Sequence, residues 1–178
     1  MPGFYQMCVQ RQSCRKFDPD RRPEKETLLA CVEAARLAPS ACNSQPWRFT
    51  VVNDPEMSPK AAKCAQSAGS NKFTNDCPAF IVIWETAAVL APRVSAALGP
   101  QYFAQIDIGI VAAHICYAAQ EQGLSTCILG WIDEVRLIET LGSANGRPRL
   151  MIAVGYPKGD VLRDKARKPL GEIMDYIG

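Results

Sequence analysis

The stretch IDIGIVAAHICYAA, Ile106 to Ala119, is apolar on nearly every side of a helical wheel. A helix with that pattern is buried inside its own chain or covered by another one. Extended to Gln101–Gln122 it is the longest helix the sequence predicts, with Gly123 placed to cap its C-terminus. On either side, short apolar runs rich in β-branched and aromatic residues read as strands: Arg48–Val52, Ala79–Trp84 behind Pro78, Ser125–Leu129 and Leu150–Tyr156. Between them lie further helices. One is short and precedes Arg11. A second follows Pro23, has acids in its first turn, carries Leu28, Cys31, Val32 and Ala35 on one face, and is stopped at Pro39. The others are expected over Pro59–Ala68 and Glu134–Leu141. Strands alternating with helices point to an α/β or α+β three-layer sandwich. The tail after Lys168 carries Leu170, Ile173, Met174 and Ile177 at helical spacing and needs a surface to cover, on this chain or on a second.

The 178 residues contain no repeat, linker or low-complexity segment, so one domain over 1–178 is expected. Lys and Arg total 20 against 18 Asp and Glu, a net charge of +2. A near-neutral chain lacks the broad basic field of a dedicated nucleic-acid binder, so any anion site must be built locally. No apolar run approaches a membrane span, and no leader pattern is visible at the N-terminus, so a cytoplasmic protein is expected. Eight cysteines stand at 8, 14, 31, 42, 64, 77, 116 and 127, with no C-x-x-C pair, and are read mostly as buried thiols acting as small hydrophobes.

Dinucleotide, P-loop, zinc-protease and serine-hydrolase motifs are all absent. The single histidine, His114, lies in the apolar helix, where it reads as a core or interface residue and not as a ligand, and no metal site is expected. Chemistry without histidine or metal points toward a cofactor. Two polar clusters remain. Arg11, Ser13 and Arg15 share one side of an extended segment, which makes either a grip for phosphate or a solvated turn. Ala38–Phe49, with Ser40, Asn43, Ser44 and Gln45, offers donors and acceptors to a polar heterocycle, or is an ordinary helix-to-strand turn.

In this order the two clusters resemble the nitroreductase family of flavin enzymes. Arg11, Ser13, Arg15 and Phe17 match its R-x-S-x-R-x-F, and Ala38 to Phe49 match its A-P-S-x-x-N-x-Q-P-W-x-F. Lys72-Phe73 before Cys77-Pro78, Asp107-x-Gly109, Gly123-Leu124, Cys127 to Gly130, and Lys165-x-Arg167-x-Pro169-Leu170 extend the likeness over nearly the whole chain.

The resemblance implies an α+β three-layer sandwich with a mixed, mainly antiparallel sheet flanked by helices. It also implies a homodimer with an exchanged C-terminal arm and FMN at the interface. Arg11, Ser13 and Arg167 would hold the phosphate and ribityl chain, with Lys165 nearby and Gln12 in the same segment. Arg15 and Lys72 would lie on the pyrimidine side of the ring, favouring the anion formed on reduction. Pro39, Ser40, Ala41 and Asn43, with Gln45 beside them, would reach across from the other subunit. Ile128, Leu129 and Gly130 would pack on the ring, the Gly130 N–H near N5. No side chain is assigned a catalytic role.

The implied activity is that of an oxidoreductase. NADH or NADPH would dock transiently and pass a hydride to the flavin, and a nitroaromatic, quinone or related small acceptor would then take its place. The segment 85–100, with Arg93, would line the opening. Three alternatives stay open. One is an FMN-binding protein of a divergent branch (dehalogenation, flavin fragmentation or flavin storage). The others are a cysteine-based redox or metal protein, and a dimeric scaffold without catalysis.

Overall fold

A computed structural model of the chain describes residues 3–142, 145–159 and 161–178. Its helices are α1 (Phe4–Gln10), α2 (Lys25–Arg36), α3 (Met57–Cys64), α4 (Pro92–Leu98), α5 (Ala104–Glu121) and α6 (Glu134–Leu141). Its strands are β1 (Trp47–Val52), β2 (Ala79–Glu85), β3 (Ser125–Leu129) and β4 (Arg147–Gly155). They form one sheet in the order β1-β2-β4-β3, and all three pairings are antiparallel. The sheet is therefore antiparallel rather than mixed; among the described residues the one parallel pairing is an isolated bridge outside it, Ser13 to Thr126.

Every residue of β2 is buried, which explains why its sequence is a continuous apolar run without alternation. Successive side chains of β2 go to opposite faces. Phe80, Val82 and Trp84 join Met151, Leu129, Leu137 and Ala62 under α3 and α6. Ala79, Ile81 and Ile83 join Leu28, Cys31, Ile108, Val111 and Ile115 under α2 and α5. This is the three-layer α+β sandwich expected.

Helix boundaries move for local reasons. α3 begins at Met57, before Pro59, because the Asp54 carboxylate accepts the N–H groups of Glu56 and Met57 at 2.9 and 2.8 Å. It ends at Cys64 rather than continuing to Ala68, where a 3₁₀ turn over Ser67–Gly69 takes over. α5 ends as expected: Gly123 has φ +73°, its N–H bonds Gln120 O at 3.1 Å, and the Leu124 N–H bonds Ala119 O at 2.8 Å. The segment after Trp84 contains a helix the sequence reading left out, α4, bracketed by Pro92 at its start and Gly99 beyond its end.

The tail corrects the helical reading. It forms only a 3₁₀ turn over Leu170–Glu172, and Leu170, Ile173 and Ile177 are exposed, Ile177 to 97%. Propensity alone does not hold so short a helix in water, and here no packing surface of the same chain supports it.

Close packing at the end of β4 gives a direct test. A Cβ on Gly155 would lie 2.9 Å from Pro78 Cδ and 3.1 Å from Phe17 Cδ1. Gly155→Ala is expected to lower stability by ~1–3 kcal/mol through overpacking, read as a lower urea midpoint at unchanged slope.

Candidate functional site

The segment after α1 is laid along the outer edge of β3. The Cys14 N–H donates to Thr126 O at 2.8 Å, which extends the sheet by one bridge. Further on, Asp18 N donates to Tyr156 O and Lys158 N to Lys16 O, both at 2.9 Å, and Phe17 is buried against the core. Pinned this way, the segment turns Cys14 and Phe17 inward and leaves Arg15 and Lys16 between them exposed.

The chain returns to this segment from its far end. Gln12 Nε2 donates to Val161 O at 2.9 Å, and Gln12 Oε1 accepts from Arg163 N at 3.2 Å and Arg163 Nε at 3.1 Å. The Arg163 guanidinium also donates to Ser13 O, and Lys165 Nζ donates to Cys8 O. Residues 163–167 therefore run beside residues 8–13, about 150 positions away in sequence. Between them is a cavity of about 410 Å³ lined by Cys8, Val9, Arg163, Asp164, Lys165 and Arg167.

Three cations meet here. Partial desolvation and the charges of Arg11 and Arg167 push the Lys165 ammonium below the usual lysine range. Among the described residues, Arg11, Arg15, Lys72, Lys165 and Arg167 make no ion pair; the salt bridges present are Arg36–Glu33, Arg147–Glu134 and Arg149–Glu85. Asp164 lines the same cavity without pairing to any of them, so the convergent guanidinium and ammonium groups keep donors free for a phosphate. Exposed Ile128, on the strand beside Ser13, adds an apolar surface of the kind a flat ring covers. The residues present fit a phosphorylated flavin.

The other cluster is elsewhere in the chain. Ala41–Asn43 form a 3₁₀ turn, and Cys42, Asn43 and Gln45 all have φ near +50°. Positive φ costs energy in non-glycine residues. Three contacts hold the loop there. Gln45 N donates to Ser40 Oγ at 2.9 Å, Gln45 Nε2 donates to Asn43 O at 3.1 Å, and Ala41 N reaches both oxygens of the buried Asp107 carboxylate at 3.3 Å. Asp107 stands in the first turn of α5. Arg11, by contrast, acts on Cys116 and Tyr117 near the other end of that helix. Nine residues along a helix are ~13 Å, so one chain does not bring the two clusters together.

Of the remaining expected residues, Lys72 is exposed at the start of a 3₁₀ turn whose Phe73 stacks 6.4 Å from Phe17. Gly130 is exposed, but the Leu129 side chain is in the core with Leu137 and Met151 and offers no face to a ring. His114 Nδ1 is 2.9 Å from Ile110 O, within its own helix. Among the described residues no His, Cys, Asp or Glu side chains gather as a metal site, and no helix is long and apolar enough to cross a membrane. Burial pushes the Cys77 thiol up to about 12 and Cys31 to about 11, and raises Cys14, Cys64, Cys116 and Cys127 as well. Thiols held protonated are poor nucleophiles, which weakens a cysteine-based chemistry at these six buried positions; Cys42 is exposed and Cys8 half-buried.

The sequence model of the nitroreductase family matches residues 8–156. The chain belongs to that family. Its members are generally FMN-dependent oxidoreductases and generally dimeric. Among curated relatives, it is 24% identical to the iodotyrosine deiodinase of Drosophila melanogaster, over 96% of this chain and 68% of that one. It is 25% identical to the oxygen-insensitive NADPH nitroreductase of Helicobacter pylori, over 97% and 95%. Among solved structures, it resembles a nitroreductase family protein of Streptococcus pneumoniae TIGR4 with a TM-score of 0.79 and 25% identity, covering 98% of this chain and all of that one.

Two residues of this nitroreductase-fold site escaped the sequence reading. Arg163 is one: the rule that put 11, 13 and 15 on one side applies equally to 163, 165 and 167. Asp107 is the other, read only as part of a motif. A carboxylate in an otherwise apolar helix needs buried donors, and its donor is the loop at 41.

Proposed function

We propose that the protein is an FMN-dependent NAD(P)H oxidoreductase that passes electrons to a small acceptor such as a nitroaromatic or quinone. The observation that carries this reading is the convergence of Arg11, Lys165 and Arg167 beside the 410 Å³ cavity, where among the described residues none of the three makes a salt bridge even though Asp164 also lines the wall. Bound FMN would supply the hydride-accepting and electron-donating chemistry. Arg11, Ser13, Lys165 and Arg167 would hold its phosphate and ribityl chain, with Gln12 bracing the segment through Arg163. Arg15 and Lys72 would place positive charge beside the pyrimidine. Ile128 and the backbone of Leu129 and Gly130 would bound one face of the ring.

A second copy would complete the site. Pro39, Ser40, Ala41, Asn43 and Gln45 sit at the N-terminal end of α5, and the cations at its C-terminal end. Two α5 helices packed antiparallel about a two-fold axis would bring the loop of one chain to the cations of the other. The exposed apolar tail would then lie over the partner.

The test is the spectrum of the purified protein, followed by anaerobic titration with NADH and NADPH. A yellow protein that bleaches with either is expected, and a protein with no flavin, or with flavin that neither dinucleotide bleaches, would refute the reading. Dehalogenation is a second reading, supported by the deiodinase likeness over 96% of the chain. Halide release from a halogenated phenol, with no turnover of nitroaromatics or quinones, would favour it.

The lowered Lys165 pKa adds a pH signature. Anion binding needs the ammonium form, so FMN affinity is expected to fall on the alkaline side before an ordinary lysine would titrate. Lys165→Arg, which does not titrate there, is expected to remove that fall in a fluorescence measurement of the dissociation constant.

A further inference from the structure

Between β2 and α5 the chain leaves the sheet over residues 86–100, forms α4, and returns at Gln101. One side chain closes this excursion. The Ala88 N–H donates to Gln101 Oε1 at 2.6 Å, and Gln101 Nε2 donates to Glu85 Oε1 at 2.8 Å and to Thr86 O at 3.0 Å. Both ends of the amide are used. Reversing it would set donor against donor at Ala88 and acceptor against acceptor at Glu85. Glu85 is fixed in turn: it is buried at the end of β2, and its other carboxylate oxygen accepts from Arg149 Nε.

The same excursion is bonded to the loop at 39–45 and its exit. The Val89 N–H donates to Ser44 Oγ at 2.6 Å, and the Thr86 N–H donates to Pro46 O at 3.0 Å. Neither Gln101 nor Ser44 belongs to the core. Their four side-chain bonds serve a different end, which is to hold one surface segment in register with another. The segment so held is mostly apolar: Val89 and Leu98 are exposed, and Arg93 is its one charged side chain.

We propose that Gln101 is a positioning residue for the electron acceptor. By latching 86–100 against the loop, it holds an apolar wall beside the place where a flat aromatic acceptor docks over the flavin. The inference rests on the oxidoreductase reading, in which the 39–45 loop reaches the partner's flavin. Gln101 acts through the segment and not on the reacting atoms. A wall held in place before the acceptor arrives spares the cost of ordering it on binding, so the latch belongs to KM more than to kcat.

Trypsin reads the latch directly, because Arg93 is the one trypsin site between Lys72 and Arg136. Cleavage after Arg93, followed by mass spectrometry, tracks how often the segment opens. Gln101→Leu is expected to speed it at least about fivefold relative to cleavage after Arg167 in the same sample. The role in turnover is read with two acceptors. For menadione, KM is expected to rise about tenfold with kcat within about twofold. For ferricyanide, which takes electrons without docking against an apolar wall, neither constant should move, and the FMN dissociation constant should also hold. Ser44→Ala removes only the Val89 bond, so it should shift both readouts the same way by a smaller factor, and it decides the matter if Gln101→Leu fails to fold. Unchanged cleavage after Arg93 would overturn the latch. Faster cleavage with an unchanged menadione KM, or equal losses with both acceptors, would reduce it to a structural staple and overturn the proposal while leaving the oxidoreductase reading standing. If the native protein takes up no FMN, the oxidoreductase reading fails and the acceptor role with it, and the Arg93 cleavage still decides the latch.

Discussion

Arg11→Ala and Arg167→Ala are each expected to raise the FMN dissociation constant by about 10- to 100-fold, because a hydrogen bond to a charged group contributes ~1.5–3 kcal/mol and each 1.4 kcal/mol is tenfold. Arg167 lines the same cavity as Lys165, and the charges of both guanidiniums lower the Lys165 pKa. Their effects should therefore not add, and the double variant should fall short of the product of the singles. Neither change should unfold the chain. The core lies on the two faces of the sheet and includes neither residue. Removing either guanidinium also relieves Lys165 of a like charge, so its pKa should rise toward the ordinary lysine value. This second readout separates loss of a phosphate contact from general damage. The measurement is quenching of FMN fluorescence on binding, with the native urea midpoint as control. Unchanged constants in both single variants would remove the phosphate from this corner of the fold.

What the sequence made legible follows from the range of the forces involved. β3 and α6 were placed to the residue, because a short β-prone run behind Gly123 and an amphipathic eight-residue stretch each carry their own local signal. The layers were legible from the same signals. What was not legible depended on contacts between distant segments. The start of α3 is set by Asp54, outside the apolar pattern, and the tail's helical spacing is overruled by the absence of anything to pack against. At the candidate site the motifs were legible as groups, but two facts needed coordinates. One is that 163–167 lies against 8–13, which brings Arg163 in. The other is that the 39–45 loop is at the opposite end of α5 from the cations, which no linear pattern encodes.

Gly109→Glu is expected to turn a dimer into a monomer that still folds. A glycine inside a helix costs ~0.5–1 kcal/mol relative to alanine, so something should offset it. Nothing in this chain does: a Cβ at position 109 would meet no heavy atom within 4 Å. Its neighbours on the same face, Ile106 and Ala113, are exposed as well, while the opposite face of α5 is buried against the sheet. A row of small and apolar side chains facing outward, centred on a glycine, lets a second helix approach closely. A glutamate there would place a charge and three extra carbons into that contact, and burying an unpaired charge is far costlier than losing the contact. The isolated chain has room for it, so secondary structure measured by circular dichroism should persist. Sedimentation equilibrium should give twice the chain mass for the native protein and one chain mass for the variant. FMN affinity should fall with it even though Arg11, Lys165 and Arg167 are untouched, because the loop at 39–45 would then come from no partner. A native protein that sediments as one chain, or a Gly109→Glu variant that stays paired, would sink the two-chain site. Loss of pairing with full FMN affinity would instead confine the flavin to one chain, and the strained loop at Cys42, Asn43 and Gln45 would need another reason to exist.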